Sequence, residues 1–360
     1  MKLLTLQQEL NRKLVERQEA IQGILLALIA REHVLMLGPA GVAKSALAVA
    51  LAQAISGSYF HILLTKFTTP EEVFGPISIK SLEEDKYERN VVGYLATSQV
   101  AFLDEVYKAS SAILNALLTI LNERSFRNGT RSLLSPLETC IAASNELPQD
   151  ASLGALHDRF LLRYVVSPVS DQGAPALWAL DREPLRTRVS PEELKSLQAQ
   201  ADQVGVSQDI LQAAIAIRQD LTQAGVYISD RRFVQIRKLV QASAALGGRA
   251  QAEGGDLHAA APALWNTPDQ IERAKAIVTR HAGAVPSSAP APLPPEVTAW
   301  LSELADLHRR VTQSRERSPA ISQRVQAAAG ALRPWADHPQ VKPHYERFRI
   351  EVVLPLIGPV

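Results

Sequence analysis

The stretch GPAGVAKS, residues 38–45, follows the apolar run HVLML of residues 33–37 and leads into a helix-like segment. A loop that binds phosphates needs small residues, so that its backbone N–H groups can face the phosphate oxygens. It also needs a lysine for the β- and γ-phosphates and a hydroxyl for Mg²⁺, which Lys44 and Ser45 supply. We therefore predict a phosphate-binding loop. Ala43 stands where the general pattern has glycine, so a Gly-rich turn with an exposed lysine is the alternative.

Short apolar runs alternate with segments of helical periodicity around this loop. Residues 3–29 have the pattern of one or two amphipathic helices. The remaining predicted elements are strands at 33–37, 60–64, 100–103 and 138–143 and helices at 44–55 and 109–122. This alternation predicts an α/β fold in which helices cover both faces of a parallel sheet.

The second half of the chain has a different character, because strand signals stop after about Pro168. We predict four domains or segments: a nucleotide-binding α/β core over residues 1–169, an all-helical domain over 186–281, a Pro-rich linker over 282–295 and a helical C-terminal extension over 296–360.

Composition excludes several classes of protein. The 360 residues are 46% hydrophobic and 21% charged with a formal net charge of +1, so neither a disordered chain nor a nonspecific nucleic-acid binder is expected. The single Cys140 excludes an intramolecular disulfide framework and is expected to fill a buried strand position. No apolar stretch is long enough to cross a bilayer and no secretory signal is visible. We expect a cytoplasmic protein.

Polar side chains end two of the predicted strands. Asp104 and Glu105 follow the run VAFL, where an Asp can support Mg²⁺ and a Glu can polarise a water. Asn145 follows the run IAAS and can hold that water from the opposite side. The alternatives without a catalytic role are a solvated acidic pair and an Asn that closes a strand. Combined with the loop, these residues favour nucleotide hydrolysis.

Arginines mark two further positions. Arg159 lies in the sequence HDRF, beyond the last predicted core helix, and an arginine there can reach the γ-phosphate of a neighbouring subunit. Arg163 is an alternative candidate for this role. A surface ion pair is the alternative without a catalytic role. Arg231 and Arg232 follow Ser229, a predicted helix N-cap, and cations in a first helical turn suggest an anionic partner.

The ordered set GPAGVAKS, VAFLDE, IAASNE, HDRF and SDRR resembles that of AAA+ ATPases, and FTTPEEVFGP at 67–76 resembles the MoxR family. Within that family the chain is most similar to the regulatory ATPase variant A group, which shares TPEEVFGP and AASNELP. The likeness covers about residues 10–280. That group carries a β-rich accessory domain, and nothing after Pro286 resembles one.

The resemblance implies a role for each matching residue. Lys44 would contact the β- and γ-phosphates, Ser45 and Asp104 would hold Mg²⁺, and Glu105 would be the general base. Asn145 would be the first sensor, Arg159 a finger acting on a neighbouring subunit, and Arg231 the second sensor on a helical lid. The implied nucleotide-binding positions are Val15, Gly38, Pro39, Ala40, Gly41, Val42, Ala43, Lys44, Ser45, Ala46 and Arg231, with Glu16 a less certain contact beside Val15.

The family also implies two inserted hairpins near a central pore, which map to residues 77–94 and 124–135. Their basic residues are candidates for contacting a client protein: Lys80, Lys86, Arg89, Arg127 and Arg131. The expected protein is a homo-hexameric ATPase that uses ATP and Mg²⁺ to remodel a partner, with a von Willebrand factor A domain protein as that partner. A nucleotide-gated assembly scaffold and a DNA-dependent motor are the alternatives, although the balanced charge makes nucleic acid an unexpected partner.

Overall fold

A computed structural model of the protein describes residues 2–148, 150, 153–180, 184–283, 295–312, 318–335 and 341–356. The strands are β1 Val34–Leu37, β2 Tyr59–Leu63, β3 Val100–Asp104, β4 Ser125–Asn128, β5 Arg131–Leu134, β6 Thr139–Ser144 and β7 Leu162–Val165. The helices are α1 Lys2–Lys13, α2 Gln18–Ala30, α3 Lys44–Ala54, α4 Pro70–Phe74, α5 Ile79–Glu83, α6 Ser111–Glu123, α7 Gly154–His157, α8 Ala174–Trp178, α9 Pro191–Gln203, α10 Gln208–Gln223, α11 Asp230–Leu246, α12 Ile271–Ala282, α13 Pro295–Thr312, α14 Pro319–Leu332, α15 Lys342–Phe348 and α16 Leu354–Leu356.

Five strands form one parallel sheet in the order β2-β3-β6-β1-β7. Strand β1 lies between β6 and β7, with Val34 opposite both Ile141 and Leu162. All five carboxyl ends therefore meet at one edge of the sheet, the carboxyl edge, and all five amino ends at the opposite amino edge. Ligands of such sheets bind outside the carboxyl edge, which is where the loop of residues 38–45 lies.

Alternate residues of β1 face two separate hydrophobic cores, as expected for a sheet covered on both sides. Val34 and Met36 pack into a core with α2 and α3, whereas Leu35 and Leu37 pack into a core with α6. Both cores also contain residues of the helical region that follows. The parallel sheet with helices on both faces confirms the predicted fold class.

The helical region comprises α9 to α12 together with a 3₁₀ segment, Gly254–Ala263. Helix α11 begins as the sequence predicts, because the Ser229 hydroxyl caps it by accepting from the backbone N–H of Arg232 at 3.2 Å. This region and the sheet belong to one compact unit, Met1–Pro286, and the rest of the chain forms a second unit, Ser287–Val360.

The second unit has a hydrophobic core of its own, built from α13, α14 and the helical segments after Val341. Its described residues are helical and contain no strand. Most of the predicted linker, at residues 284–294, lies outside the described residues. Of the two predicted hairpins, 124–135 is the antiparallel pair β4-β5, whereas 77–94 contains the short helix α5 and a single bridge between Ile77 and Arg89.

Strand β7 is absent from the sequence prediction. The apolar run around it, LLRYVV, is interrupted by Arg163, which reads as a surface residue in sequence. In the structure Arg163 is fully buried and β7 forms the edge of the sheet beside β1.

Candidate active site

The loop between β1 and α3 brings the predicted lysine to the carboxyl edge. The Lys44 ammonium donates to the carbonyls of Gly38 and Pro39 at 2.5 and 2.8 Å and to Asn145 Oδ1 at 3.2 Å. Partial burial lowers the pKa of Lys44, and the nearby charges of Asp104 and Glu105 oppose that shift. The residues predicted from β1, β3 and β6 are therefore neighbours in space.

The backbone of the loop has the conformation that glycine favours, even where glycine is missing. Ala43 has φ +68° and Gly41 has φ +84°, both in the left-handed region. Gly38 is required for a different reason, because a Cβ there would lie 2.1 Å from the carbonyl oxygen of Val166. The alanine before Lys44 therefore keeps the loop geometry at the cost of backbone strain.

The end of β3 carries the acidic pair. The Ser45 hydroxyl donates to Asp104 Oδ2 at 3.3 Å, and Asp104 Oδ1 accepts from the backbone N–H of Glu105 at 3.0 Å. Glu105 is also left-handed, with φ +54°. Its Oε2 is buried without a hydrogen bond and lies 3.2 Å from the Lys108 ammonium.

A hydroxyl and a carboxylate in contact are oxygen ligands of the kind that Mg²⁺ takes together with substrate phosphates. Ser45 and Asp104 thus fit the predicted magnesium site. No cluster of three or more His, Cys, Asp and Glu side chains suited to a metal occurs within the described part of the chain, so the phosphates would have to complete the coordination.

The turn between α1 and α2 is tied to the phosphate-binding loop by Arg17, a residue that the sequence prediction missed. The buried Arg17 guanidinium donates to the carbonyls of Val42 and Ser167 at 3.2 and 2.7 Å. Val15, one of the implied nucleotide-binding positions, lies two residues earlier in this turn. Glu16 accepts from the backbone N–H and the hydroxyl of Ser170, at 2.9 and 2.5 Å.

A cleft of about 410 Å³ opens beside the same turn. It lies between the sheet and the helical region and is lined by residues 16–20, 163–168, 261, 262, 265, 271 and 275. An ion pair between Glu19 and Lys275, at 3.2 Å, joins the α2 and α12 walls of this cleft.

The predicted finger lies at the other edge of the sheet. Strand β7 starts at Leu162, opposite Val34. Arg159 comes shortly before this strand and therefore lies at the amino edge. A four-residue strand spans about 13 Å, which separates Arg159 from the loop of its own chain. Arg159 is half-buried, and its Nε has no hydrogen-bond partner among the described residues.

The alternative finger candidate is wrong. Arg163 is fully buried in β7, where its guanidinium donates to the carbonyl of Trp265 at 2.6 Å and to those of Phe160 and His157 at 3.1 Å each. A side chain satisfied in this way has no access to another subunit. The sequence suggested an exposed Arg163 because it gives no sign of the carbonyls that surround this side chain in the fold.

The predicted second sensor also lies toward the amino edge. Burial, followed by the charges of Arg124 and Arg231, lowers the pKa of His33, which precedes β1 at that edge. Arg232, the residue after Arg231, donates a hydrogen bond to Asp158, which directly precedes Arg159. Arg231 is therefore close enough to His33, at the amino edge, for its charge to act on that imidazole.

The hairpin candidates differ in accessibility. Arg89 is not available to a client, because its guanidinium donates to Glu71 and to the carbonyl of Gly75 at 2.9 and 2.8 Å. Lys86 pairs with Glu84, and Arg131 lies 3.6 Å from Glu88, but both basic side chains are more than half exposed. Cys140 is buried as predicted, and burial raises its thiol pKa to about 12.

Within the described ranges, no helix is long and apolar enough to span a membrane. The family described as the MoxR domain in the MoxR-vWA-beta-propeller ternary systems matches residues 1–199, and an AAA lid domain family matches residues 209–278. The lid match covers α10, α11 and most of α12, and the loop, the acidic pair and Arg159 all lie within the MoxR match.

Relatives cover most of the chain. Two uncharacterized proteins of Methanocaldococcus jannaschii are each 43% identical to it, over 273 and 269 residues, which are 75% and 74% of this chain and 72% of each relative. The chaperone MoxR1 of Mycobacterium tuberculosis is 24% identical over 54% of this chain and 50% of its own length. The crystal structure of a proposed ATPase from Cytophaga hutchinsonii shares the fold, with a TM-score of 0.64 at 16% identity over 78% of this chain and 94% of that one. The chain belongs to the MoxR family of AAA+ ATPases.

Proposed function

We propose that this protein hydrolyses ATP, with Mg²⁺, at active sites shared between the subunits of a homo-hexameric ring. The observation that carries the proposal is the division of the machinery between two edges of the sheet. Lys44, Ser45, Asp104 and Glu105 converge at the carboxyl edge, whereas Arg159 lies at the amino edge. A complete site then needs the amino edge of a second subunit.

Each group has a task in hydrolysis. Lys44, whose ammonium donates to two carbonyls of the loop, contacts the β- and γ-phosphate oxygens. Glu105, whose carboxylate lies 3.2 Å from the Lys108 ammonium, accepts the proton of the attacking water, which Asn145 orients. Ser45 and Asp104 would hold Mg²⁺, which would supply charge neutralisation for the phosphates when bound. Arg159 of the adjacent subunit stabilises charge on the γ-phosphate in the transition state.

We further propose that the ring acts as a cytoplasmic chaperone or remodelling factor. The matched family is described as part of ternary systems with a vWA protein and a β-propeller, and one relative is a chaperone. A von Willebrand factor A domain protein is therefore the proposed partner, and a β-propeller protein is a second. The finer likeness to the regulatory ATPase variant A group stays a prediction from shared sequence phrases, since the matched family is described by a different system.

Two substitutions test hydrolysis and binding separately. Lys44→Ala removes the cation from the loop and is expected to weaken ATP binding at least tenfold. Glu105→Gln keeps the side-chain shape and loses the base, so it is expected to bind ATP normally and to lower kcat at least 100-fold. Nucleotide binding and phosphate release, each measured with and without DNA, are the readouts.

The alternatives give other results in the same experiment. Equal and negligible turnover by the wild type and Glu105→Gln, with ATP bound by both, identifies a nucleotide-gated scaffold. Turnover that depends on DNA identifies a DNA-dependent motor. Turnover at the wild-type rate by Glu105→Gln contradicts the assigned mechanism.

A further inference from the structure

Two buried guanidinium groups hold the turn that carries Arg159, which comprises residues 157–160. Arg163, from β7, donates to the carbonyls at both ends of the turn, His157 and Phe160. Arg232, from the lid helix α11, donates to Asp158 Oδ1 at 2.6 Å. The residues immediately before and after Arg159 are therefore fixed, one by a side-chain contact from the lid and the other through its carbonyl.

The two guanidinium groups lie close to each other, and little negative charge lies beside them to compensate their positive charge. Both reach Asn266 Oδ1, Arg232 at 2.8 Å and Arg163 at 3.4 Å, and Asp158 is the one carboxylate paired with either among the described residues. Burial, followed by the charge of Arg232, lowers the pKa of Arg163 to about 9. Burying two like charges beside one carboxylate is a poor way to stabilise a fold. This arrangement therefore indicates that the two arginines serve to hold the turn in one defined position.

The two arginines hold the turn in different ways. Arg163 belongs to the sheet, and in the turn it donates to main-chain carbonyls. Arg232 belongs to the lid and forms an ion pair with the side chain of Asp158 in the turn. Just 5% of the Arg232 side chain is exposed. The position of α11 is thus transmitted to Asp158 through one ion pair. Asn266, which donates to the carbonyl of Tyr227 at 3.0 Å, fixes the other side of the Arg232 guanidinium to the lid.

We propose that Arg232 is a positioning residue for the finger: by holding Asp158 from the lid, it sets the orientation in which Arg159 reaches the nucleotide of the adjacent subunit. This proposal rests on the proposed function, because it assigns Arg232 to a site in another chain. It predicts that loss of Arg232 impairs hydrolysis by the neighbour and leaves nucleotide binding by its own subunit intact.

Arg232→Gln removes the charge and keeps most of the side-chain length, and Asp158→Asn breaks the same ion pair from the other end. Each is expected to lower kcat at least tenfold while the affinity for ADP changes less than threefold. The matched control is Arg280→Gln, which removes an exposed lid arginine paired with Asp220 at 3.0 Å and is expected to leave both quantities unchanged. Thermal unfolding verifies that each variant is folded.

Mixed rings, made by co-expressing two differently tagged variants and purifying through both tags, locate the defect. Rings of Arg232→Gln with Glu105→Gln are expected to regain activity, because some interfaces then join an intact base to an intact finger. Rings of Arg232→Gln with Arg159→Ala are expected to stay inactive, because every finger is then defective.

Recovery in the second mixture would overturn the proposal, since it would place the role of Arg232 at the nucleotide site of its own subunit. A fall in ADP affinity as large as the fall in kcat, for Arg232→Gln and Asp158→Asn alike, would do the same. Failure of the proposed function looks different, because Arg159→Ala alone would then turn over ATP at the wild-type rate.

Discussion

At the scale of single residues, the phosphate-binding loop depends on backbone conformation more than on residue type. Ala43 occupies the left-handed region with φ +68°, at the position where the general pattern has glycine. An L-residue there carries about 1–2 kcal/mol of steric strain. The loop nonetheless brings Lys44 to Asn145, so the departure from the pattern does not by itself indicate a site that has lost activity.

Replacing Ala43 by glycine should release that strain. We expect Ala43→Gly to raise the free energy of unfolding by about 1 kcal/mol, after the greater freedom of glycine in the unfolded chain is offset. The change in kcat is expected to stay within threefold, because the lysine position is kept. Urea unfolding and phosphate release measure the two quantities. A less stable variant would show that Ala43 is unstrained, and a large gain in kcat would indicate that the alanine restrains turnover.

At the scale of elements, the sequence predicted the strands and helices that carry regular apolar patterns. The strand at 100–103 and the helix at 109–122 are found as β3 and α6, within one or two residues. Strand β7 was missed because Arg163 breaks its pattern, and its buried partners come from residues about 100 positions further along the chain. Arg17 was missed for the same reason, since its contact with Ser167 joins segments 150 residues apart.

The candidate site shows the same division. Lys44, Ser45, Asp104 and Asn145 could be predicted, because the carboxyl ends of parallel strands meet at one edge of a sheet. Arg159 was predicted to lie beyond the last core helix, away from these residues. The position of Arg231 relative to the loop could not be predicted, because it depends on where the lid packs. Sequence reasoning placed Arg231 on the correct helix but left open which nucleotide that helix faces.

The short helix α7 is attached to the segment after Glu105 by a hydrogen bond that depends on a neutral histidine. The Tyr107 hydroxyl lies 2.6 Å from His157 Nδ1. Burial raises the pKa of Tyr107, so its O–H is the donor. Burial, followed by the charges of Arg163 and Arg232, lowers the pKa of His157 from 6.5 to about 3. The imidazole therefore accepts this hydrogen bond across the physiological pH range.

That shift predicts a pH dependence of stability. Between pH 6.5 and 3 the unfolded chain binds a proton at His157 that the folded chain does not, so the free energy of unfolding falls as the pH falls. The contribution of this residue is at most about 1.4 kcal/mol per pH unit. His157→Gln should therefore show a shallower loss of stability than the wild type in urea unfolding between pH 6.5 and 5. Parallel curves for the two proteins would mean that His157 titrates normally in the folded state.

At the scale of the whole molecule, the sheet separates two functional surfaces of one subunit. Its carboxyl edge carries the groups proposed to bind and activate ATP, and its amino edge carries Arg159, with Arg231 and Arg232 from the lid. In the proposed mechanism, the two surfaces are complementary halves of one site. Assembly of subunits head to tail would join them, which a closed ring achieves for every subunit.

The measurement that tests this account most directly is ATP turnover by rings that mix Arg159→Ala with Glu105→Gln subunits. Each variant alone is expected to bind nucleotide and to hydrolyse it at least 100-fold more slowly than the wild type, because every site lacks either the finger or the base. Mixed rings contain interfaces where an intact Glu105 meets an intact Arg159, so turnover should rise well above that of either variant. Full activity of Arg159→Ala by itself, or mixed rings that remain as slow as their two parents, would contradict a site shared between subunits.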